Sequence, residues 1–134
     1  MLRSVNTAVV LSLVILILVS CIEAAEGLPA VKLDEDNNNQ TVELQIGQKA
    51  DLVLDENPTT GYRWEVASMD KAVLKQTEEP EFKPDSEAIG AGGEKTFHFK
   101  AVAPGRTTLK LIYHRSWETS VPPVKTFEAT IIVK

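Results

Sequence analysis

Residues 49–66 read KADLVLDENPTTGYRWEV. Ala50, Leu52 and Leu54 alternate with Asp51, Val53 and Asp55, so one face of this run is apolar. After a polar break the same period returns, with Tyr62, Trp64 and Val66 on one face and Arg63 and Glu65 on the other. A period of two places successive side chains on opposite faces of a sheet, which is the pattern of a strand with one dry side. Between the two runs lies NPTTG, residues 57–61. Asn57 can cap a turn, Pro58 presets φ, and Gly61 accepts a positive φ. The stretch is therefore a strand, a shaped loop and a second strand.

The rest of the chain repeats this grammar. Val42, Leu44 and Ile46 alternate, as do Phe97, Phe99 and Ala101. Leu109, Leu111 and Tyr113 do the same, and so do Phe127, Ala129, Ile131 and Val133. Strands are expected at about 42–46, 50–54, 62–67, 73–77, 95–101, 107–114 and 126–133. Residues 31–33 suit a short edge strand, and 69–76 has room for one helical turn. Breaks fall at Gly47-Gln48, at 57–61, around Pro80 and Pro84, at 90–93, at Pro104-Gly105 and at 121–123. Short strands at such spacing predict an all-β fold, an immunoglobulin-like antiparallel β-sandwich of about seven or eight strands.

Ahead of this lies a different kind of sequence. Arg3 precedes an apolar run, AVVLSLVILILVS, that ends at the only cysteine, Cys21. The run has the pattern of a signal peptide. Its last residues, LVSC, resemble a bacterial lipobox, which implies cleavage before Cys21 and a lipid on its sulfur. The expected organisation is a lipoprotein signal peptide at 1–20, lipidated Cys21 with a polar tether to 39, and one domain at 40–134. A lipid-anchored place in the bacterial cell envelope follows, the membrane being reached through the lipid on Cys21. Ile22 stands where an Asp often retains such proteins in the inner membrane, which favours the outer one.

With its one cysteine assigned to a lipid, the chain has no internal disulfide and no thiolate metal set. Arg3 is the only basic residue ahead of Cys21 and no acidic residue precedes it, so 13 basic residues face 19 acidic ones beyond, a net charge of −6. Such a balance argues against nucleic acid as a partner. His98 and His114 are the only histidines, and both fall on outward positions of strands. No short-spaced His/Asp/Glu set and no nucleophile–base pair stands out. Catalytic residues, metal and cofactor are expected to be none, and binding is favoured over catalysis.

In a sandwich alternate connections leave from the same end. The connections at 55–61, 84–94 and 115–124 follow the second, fourth and sixth expected strands, so they should share one end. They carry NPTTG, GAGG (Gly90, Ala91, Gly92, Gly93) and HRSWE, with Arg115 and Trp117. Each motif also has a plain reading. The first is a good turn by itself, and the glycines make a mobile tip or a close backbone approach. Trp117 either packs back on the sandwich edge or stands out as a binding anchor. Asp55 and Glu56 beside the first loop read as solvated surface or local caps.

The set NPTTGYRW, GAGG and YHRSW resembles the chagasin family of cysteine peptidase inhibitors over about residues 40–133. The first motif is matched at Asn57, Pro58, Thr59, Thr60, Gly61, Tyr62 and Trp64, and the second at Gly90, Gly92 and Gly93. In the third, Ser116 stands where the family has Pro, between Arg115 and Trp117. The resemblance implies an immunoglobulin-like domain that reversibly and competitively blocks papain-like cysteine peptidases with three loops at one end. It implies peptidase contacts from Asn57 to Gly61, from Gly90 to Gly93, and at Arg115 and Trp117, with Tyr62 and Trp64 as supports beneath. The chain is expected to act as a monomer. A second reading, a non-inhibitory immunoglobulin-like envelope lipoprotein binding another protein, uses the same loop tips and differs in leaving peptidases active.

Overall fold

A computed structural model describes residues 27–134. The signal peptide and Cys21 lie outside the described residues. Nine strands form two packed sheets. The first sheet holds β1 (Val31–Leu33), β3 (Lys49–Glu56), β5 (Leu74–Gln76), β6 (Glu81–Pro84) and β7 (Gly93–Ala101). Its order is β1-β3-β7-β5, with β6 also on β7. The second holds β2 (Thr41–Leu44), β4 (Arg63–Ser68), β8 (Gly105–His114) and β9 (Lys125–Val133), in the order β2-β9-β8-β4.

The alternating residues meet between the sheets. Leu52, Leu54, Phe97 and Phe99 from one side pack with Leu109, Leu111, Phe127 and Ile131 from the other, all buried. Each such side chain contributes about 1.5–3 kcal/mol when withdrawn from water. Ile46 departs from the expectation. β2 ends at Leu44, so Ile46 lies in the following turn and is exposed.

Three further features differ from the reading of the sequence. First, β6 was expected as a break. All four of its residues are exposed, so neither face imposes an alternation, and Pro84 closes it at a sheet edge where a missing N–H does no harm. Second, the sandwich is not wholly antiparallel. β1 pairs parallel with β3, and β2 pairs parallel with β9. Parallel neighbours need a long connection. Here β1 and β2 belong to different sheets, and the excursion through the second sheet separates β1 from β3.

Third, β1 is the short edge strand expected at 31–33, but residues 34–39, expected in the tether, are also built into the sandwich. Between β1 and β2 the chain makes a 3-10 turn at Glu35–Asn37, capped by Asp34. The asparagine run is not a low-complexity spacer. Asn37 Oδ1 accepts the Asp34 N–H at 2.9 Å, and Asn38 Oδ1 accepts the Glu128 N–H at 2.9 Å. Asn39 takes φ 62°, which Asn tolerates better than most residues. The expected turn within 69–76 is present, with Asp70 Oδ1 accepting the Ala72 N–H at 2.9 Å and Asp70 O accepting the Leu74 N–H at 3.0 Å.

Register sets the ends. Glu56 at the close of β3 faces Gly93 at the start of β7, and so does Pro84 at the close of β6. His114 at the close of β8 faces Arg63 at the start of β4. The segments 57–62, 85–92 and 115–124 therefore leave the sandwich at one end.

Candidate functional site

The first loop is a closed hydrogen-bonded unit. Pro58–Thr60 make one 3-10 turn, with Asn57 extended before it at φ −124° and Gly61 left-handed after it at φ 82°. Asn57 Oδ1 accepts the Thr59 N–H at 3.2 Å and the Thr59 hydroxyl at 2.6 Å. The Thr60 hydroxyl donates to Asn57 O at 2.7 Å and accepts the Tyr62 N–H at 3.3 Å. Both threonine hydroxyl protons are thus committed inside the loop. What the exposed Thr59 and Thr60 offer outward is oxygen lone pairs, methyl groups and shape.

Beneath the loop lies an aromatic stack. Trp64 is 4% exposed, and its indole N–H donates to Asp55 O at 2.8 Å. Tyr113 lies 5.1 Å from Trp64 and 5.5 Å from half-buried Tyr62, between ring centroids. Its hydroxyl accepts the Asn57 N–H at 3.2 Å. Tyr62 and Trp64 sit where a support is expected. Tyr113 and Glu56 complete it. Glu56 is 4% exposed, accepts the Trp64 N–H at 2.7 Å, and lies 3.5 Å from Lys95 Nζ, which also donates to Trp64 O at 3.0 Å. Of the two expected readings, solvated surface or local cap, the first fails for Glu56 and the bond to the Trp64 N–H is of the second kind. The signal was present in the alternation Ala50, Leu52, Leu54, which Glu56 continues inward. Its charge concealed it, because a buried carboxylate needs partners that lie far off in sequence.

The second loop is tied to the first by Asn57 Nδ2, which donates to Gly90 O at 3.2 Å. The Asp85 N–H donates to Gly92 O at 3.0 Å and closes the hairpin. Gly90, Ala91 and Gly92 lie along its tip. Gly93 has a different position from its expected one. It is buried at the start of β7, and a Cβ there would run into Lys83 O and Pro84 Cα. Its lack of a side chain serves the approach of β6.

The third loop folds back on the first. Arg115 Nε donates to Thr60 O at 3.0 Å, and an Nη donates to Glu118 Oε1 at 3.1 Å. The guanidinium lies 4.3 Å over the Tyr62 ring. Trp117 is 66% exposed, and its indole rests where a Cβ on Gly61 would be. Both readings of Trp117 thus hold in part, since one face packs on the first loop and the rest meets solvent. Ser116 is exposed, in a turn closed by the Glu118 N–H on Arg115 O at 3.1 Å. Ile89, Val121 and Val124 are exposed apolar residues on the second and third loops that were not singled out.

The result is one edge made from three distant segments, cross-bonded, with a partly exposed indole and small residues at its rim. It presents one cross-bonded shape, with a cavity of about 320 Å³ beside it lined by Gly61, Trp64, Ser116 and Trp117 among others. Each histidine lies against a carboxylate on a sheet face, His98 Nδ1 at 2.8 Å from Asp51 and His114 Nε2 at 2.7 Å from Glu65.

Residues 43–131 match the family described as chagasin family peptidase inhibitor I42. The chain is similar to chagasin of Trypanosoma cruzi, 32% identical over 90 residues, which is 64% of this chain and 82% of that protein. Its fold is similar to that of the cysteine protease inhibitor EhICP2 from Entamoeba histolytica, with a TM-score of 0.71 at 22% identity, over 78% of this chain and 96% of that one. It is also similar in fold to PbICP-C, solved in complex with falcipain-2, with a TM-score of 0.56 at 19% identity, over 80% of this chain and 100% of that one.

Proposed function

The chain belongs to the chagasin family of peptidase inhibitors, and on that premise we propose that its three-loop end plugs the cleft of a papain-like cysteine peptidase. It is an inhibitor and not an enzyme. The observation that carries this reading is the cross-bonding of the loops: Asn57 to Gly90, Arg115 to Thr60, and Trp117 on Gly61.

A peptidase of this kind attacks a carbonyl held in an extended chain between its Cys and its oxyanion donors. The first loop offers a 3-10 turn instead, locked by the Asn57 side chain, Pro58 and the left-handed Gly61. Set against the nucleophile, it occupies the cleft without presenting a scissile bond, and no covalent step is required. Gly90, Ala91 and Gly92 lay a nearly bare backbone along one wall. Trp117 places an indole on the other wall, with Arg115 holding it in position. Loops ordered before binding lose little conformational entropy when they dock, which favours affinity from a small contact area.

The test is titration of the protein against papain. A competitive, reversible inhibition constant that is insensitive to preincubation supports the reading. Papain left fully active at a large molar excess refutes it and favours the envelope lipoprotein that binds another partner.

Anchoring forms the second part of the proposal. The apolar run and LVSC support a lipid on Cys21, and residues 22–30 then link it to β1. A monomer held at the outer membrane is the form proposed. A Cys21→Ser variant should leave the membrane fraction and lose the mass of the acyl chains. Retention with unchanged mass would remove the lipid from the account.

A further inference from the structure

On the outer face of the first sheet three ligand-bearing side chains converge. Glu78, Glu81 and His98 place one ligand atom each within 4.8 Å of one another. They come from the segment between β5 and β6, from β6, and from β7. No short sequence spacing unites them, which is why the sequence was expected to hold no metal set.

The imidazole gives the cluster its meaning. His98 Nδ1 lies 2.8 Å from Asp51 Oδ1 on the neighbouring β3. Asp51 Oδ1 accepts the Nδ1 proton across this contact. In the neutral ring, Nε2 then carries a lone pair. That atom is buried, with no hydrogen-bond partner, the only such side-chain atom among the described residues. It lies 3.7 Å from Glu81 Oε1. A lone pair facing carboxylates is unfavourable unless a proton or a metal cation lies between them.

We propose that Glu78, Glu81 and His98 form a zinc site, with Asp51 orienting the imidazole from behind. Three N/O ligands plus water make a common zinc set, and a carboxylate behind a ligating histidine fixes its tautomer and raises its basicity. Imidazole among the ligands selects zinc over magnesium and calcium. Lys32 takes the other oxygen of Asp51 at 2.9 Å, so it neutralises the orienting carboxylate without facing the ligands. Bound zinc fastens β6, an exposed edge strand, to the centre of the first sheet.

Calorimetric titration of the full chain with zinc chloride, alongside its melting temperature, tests this. One equivalent should bind and raise the melting temperature. Glu81→Gln and His98→Gln should each weaken binding by well over tenfold. Asp51→Asn, altering only the orienting group, should weaken it about 10–100-fold. His114→Gln should bind zinc as the wild type does. The exposed Glu81 makes Glu81→Gln safe for folding, which guards against a loss due to misfolding. No binding up to about millimolar zinc overturns the site, as does binding that survives Glu81→Gln. Calcium binding as tight as zinc also overturns it, because the imidazole would then not be a ligand.

Discussion

The two ends of this sandwich are built from the same strands and differ in what their connections do. At one end 45–48, 69–73 and 102–104 turn the chain with local bonds, and what joins these turns comes mostly from the main chain, as in Gly47 N–H to Ala101 O at 2.8 Å and Val102 N–H to Val73 O at 2.9 Å. Gln45 O accepts the Gln48 N–H at 3.0 Å, and Asp70 Oδ1 accepts the Ala72 N–H at 2.9 Å. At the other end side chains of the loops themselves make the long-range bonds. Arg115 reaches 55 residues back to Thr60, and Asn57 reaches 33 residues forward to Gly90. A local turn is complete once its own residues close it. A cross-bonded edge has one shape held by many segments, which is what recognition of a rigid cleft demands. The two tryptophans divide along the same line: Trp64 supports the edge from within, and Trp117 completes it from outside.

Mutations can break this contrast. The largest effect is expected from Trp64→Ala, about 3–5 kcal/mol of stability for a buried aromatic lost from the core. Thermal or denaturant unfolding measures it, and a normal melting temperature would remove Trp64 from the support. Trp117→Ala should cost about 2 kcal/mol of binding, some thirtyfold in the inhibition constant, and leave the melting temperature nearly unchanged. Equal constants for mutant and wild type would mean the indole is not an anchor.

Gly61→Ala addresses the junction between two loops. The left-handed conformation costs an L residue about 1–2 kcal/mol, and the new methyl must displace the Trp117 ring. Both stability and inhibition should fall. A loss of stability alone would show that the position of Trp117 is not needed. Asp70→Ala, at the plain end, should lower stability by about 0.5–2 kcal/mol, as loss of a capping side chain does, with the inhibition constant unchanged. If inhibition weakened as well, the two ends would be coupled and the contrast would fail.

The smallest expected effect belongs to neither end. Because the Asp51 carboxyl is lowered in the folded state, its contribution to stability is full above the unfolded value. It is lost as pH falls through the lower folded value. The difference in unfolding midpoint between wild type and Asp51→Asn should therefore be present near neutrality and shrink below about pH 4. A difference that persists unchanged into acid would assign the effect to something other than ionisation.

Much of the edge was legible. NPTTGYRW could be read as a turn running into a strand with Tyr62 and Trp64 inward, because Pro, Gly and period-two aromatics have strong local consequences, and the resemblance added their role as supports. GAGG and HRSW could be assigned to the same end because strand order alternates ends. The burial of Glu56 was missed because burial of a charge depends on Lys95 and Trp64, which the local pattern does not contain. β6 was missed because an edge strand with two wet faces has no hydrophobic period. Gly93 was placed among the contacts because a glycine required by close approach and one free at a loop tip are the same letter.

What the sequence determined alone was carried by neighbours along the chain: the inward face of the strongly alternating strands, where most turns fall, and the cap and positive φ of the first loop. Only the tertiary structure decided which groups meet across the sheets. The Arg115–Thr60 bond, the Trp117–Gly61 contact, the parallel edges and the cluster at Glu78, Glu81 and His98 are all of this kind. Each joins residues whose separation along the chain sets no distance in space until the two sheets close on their shared core.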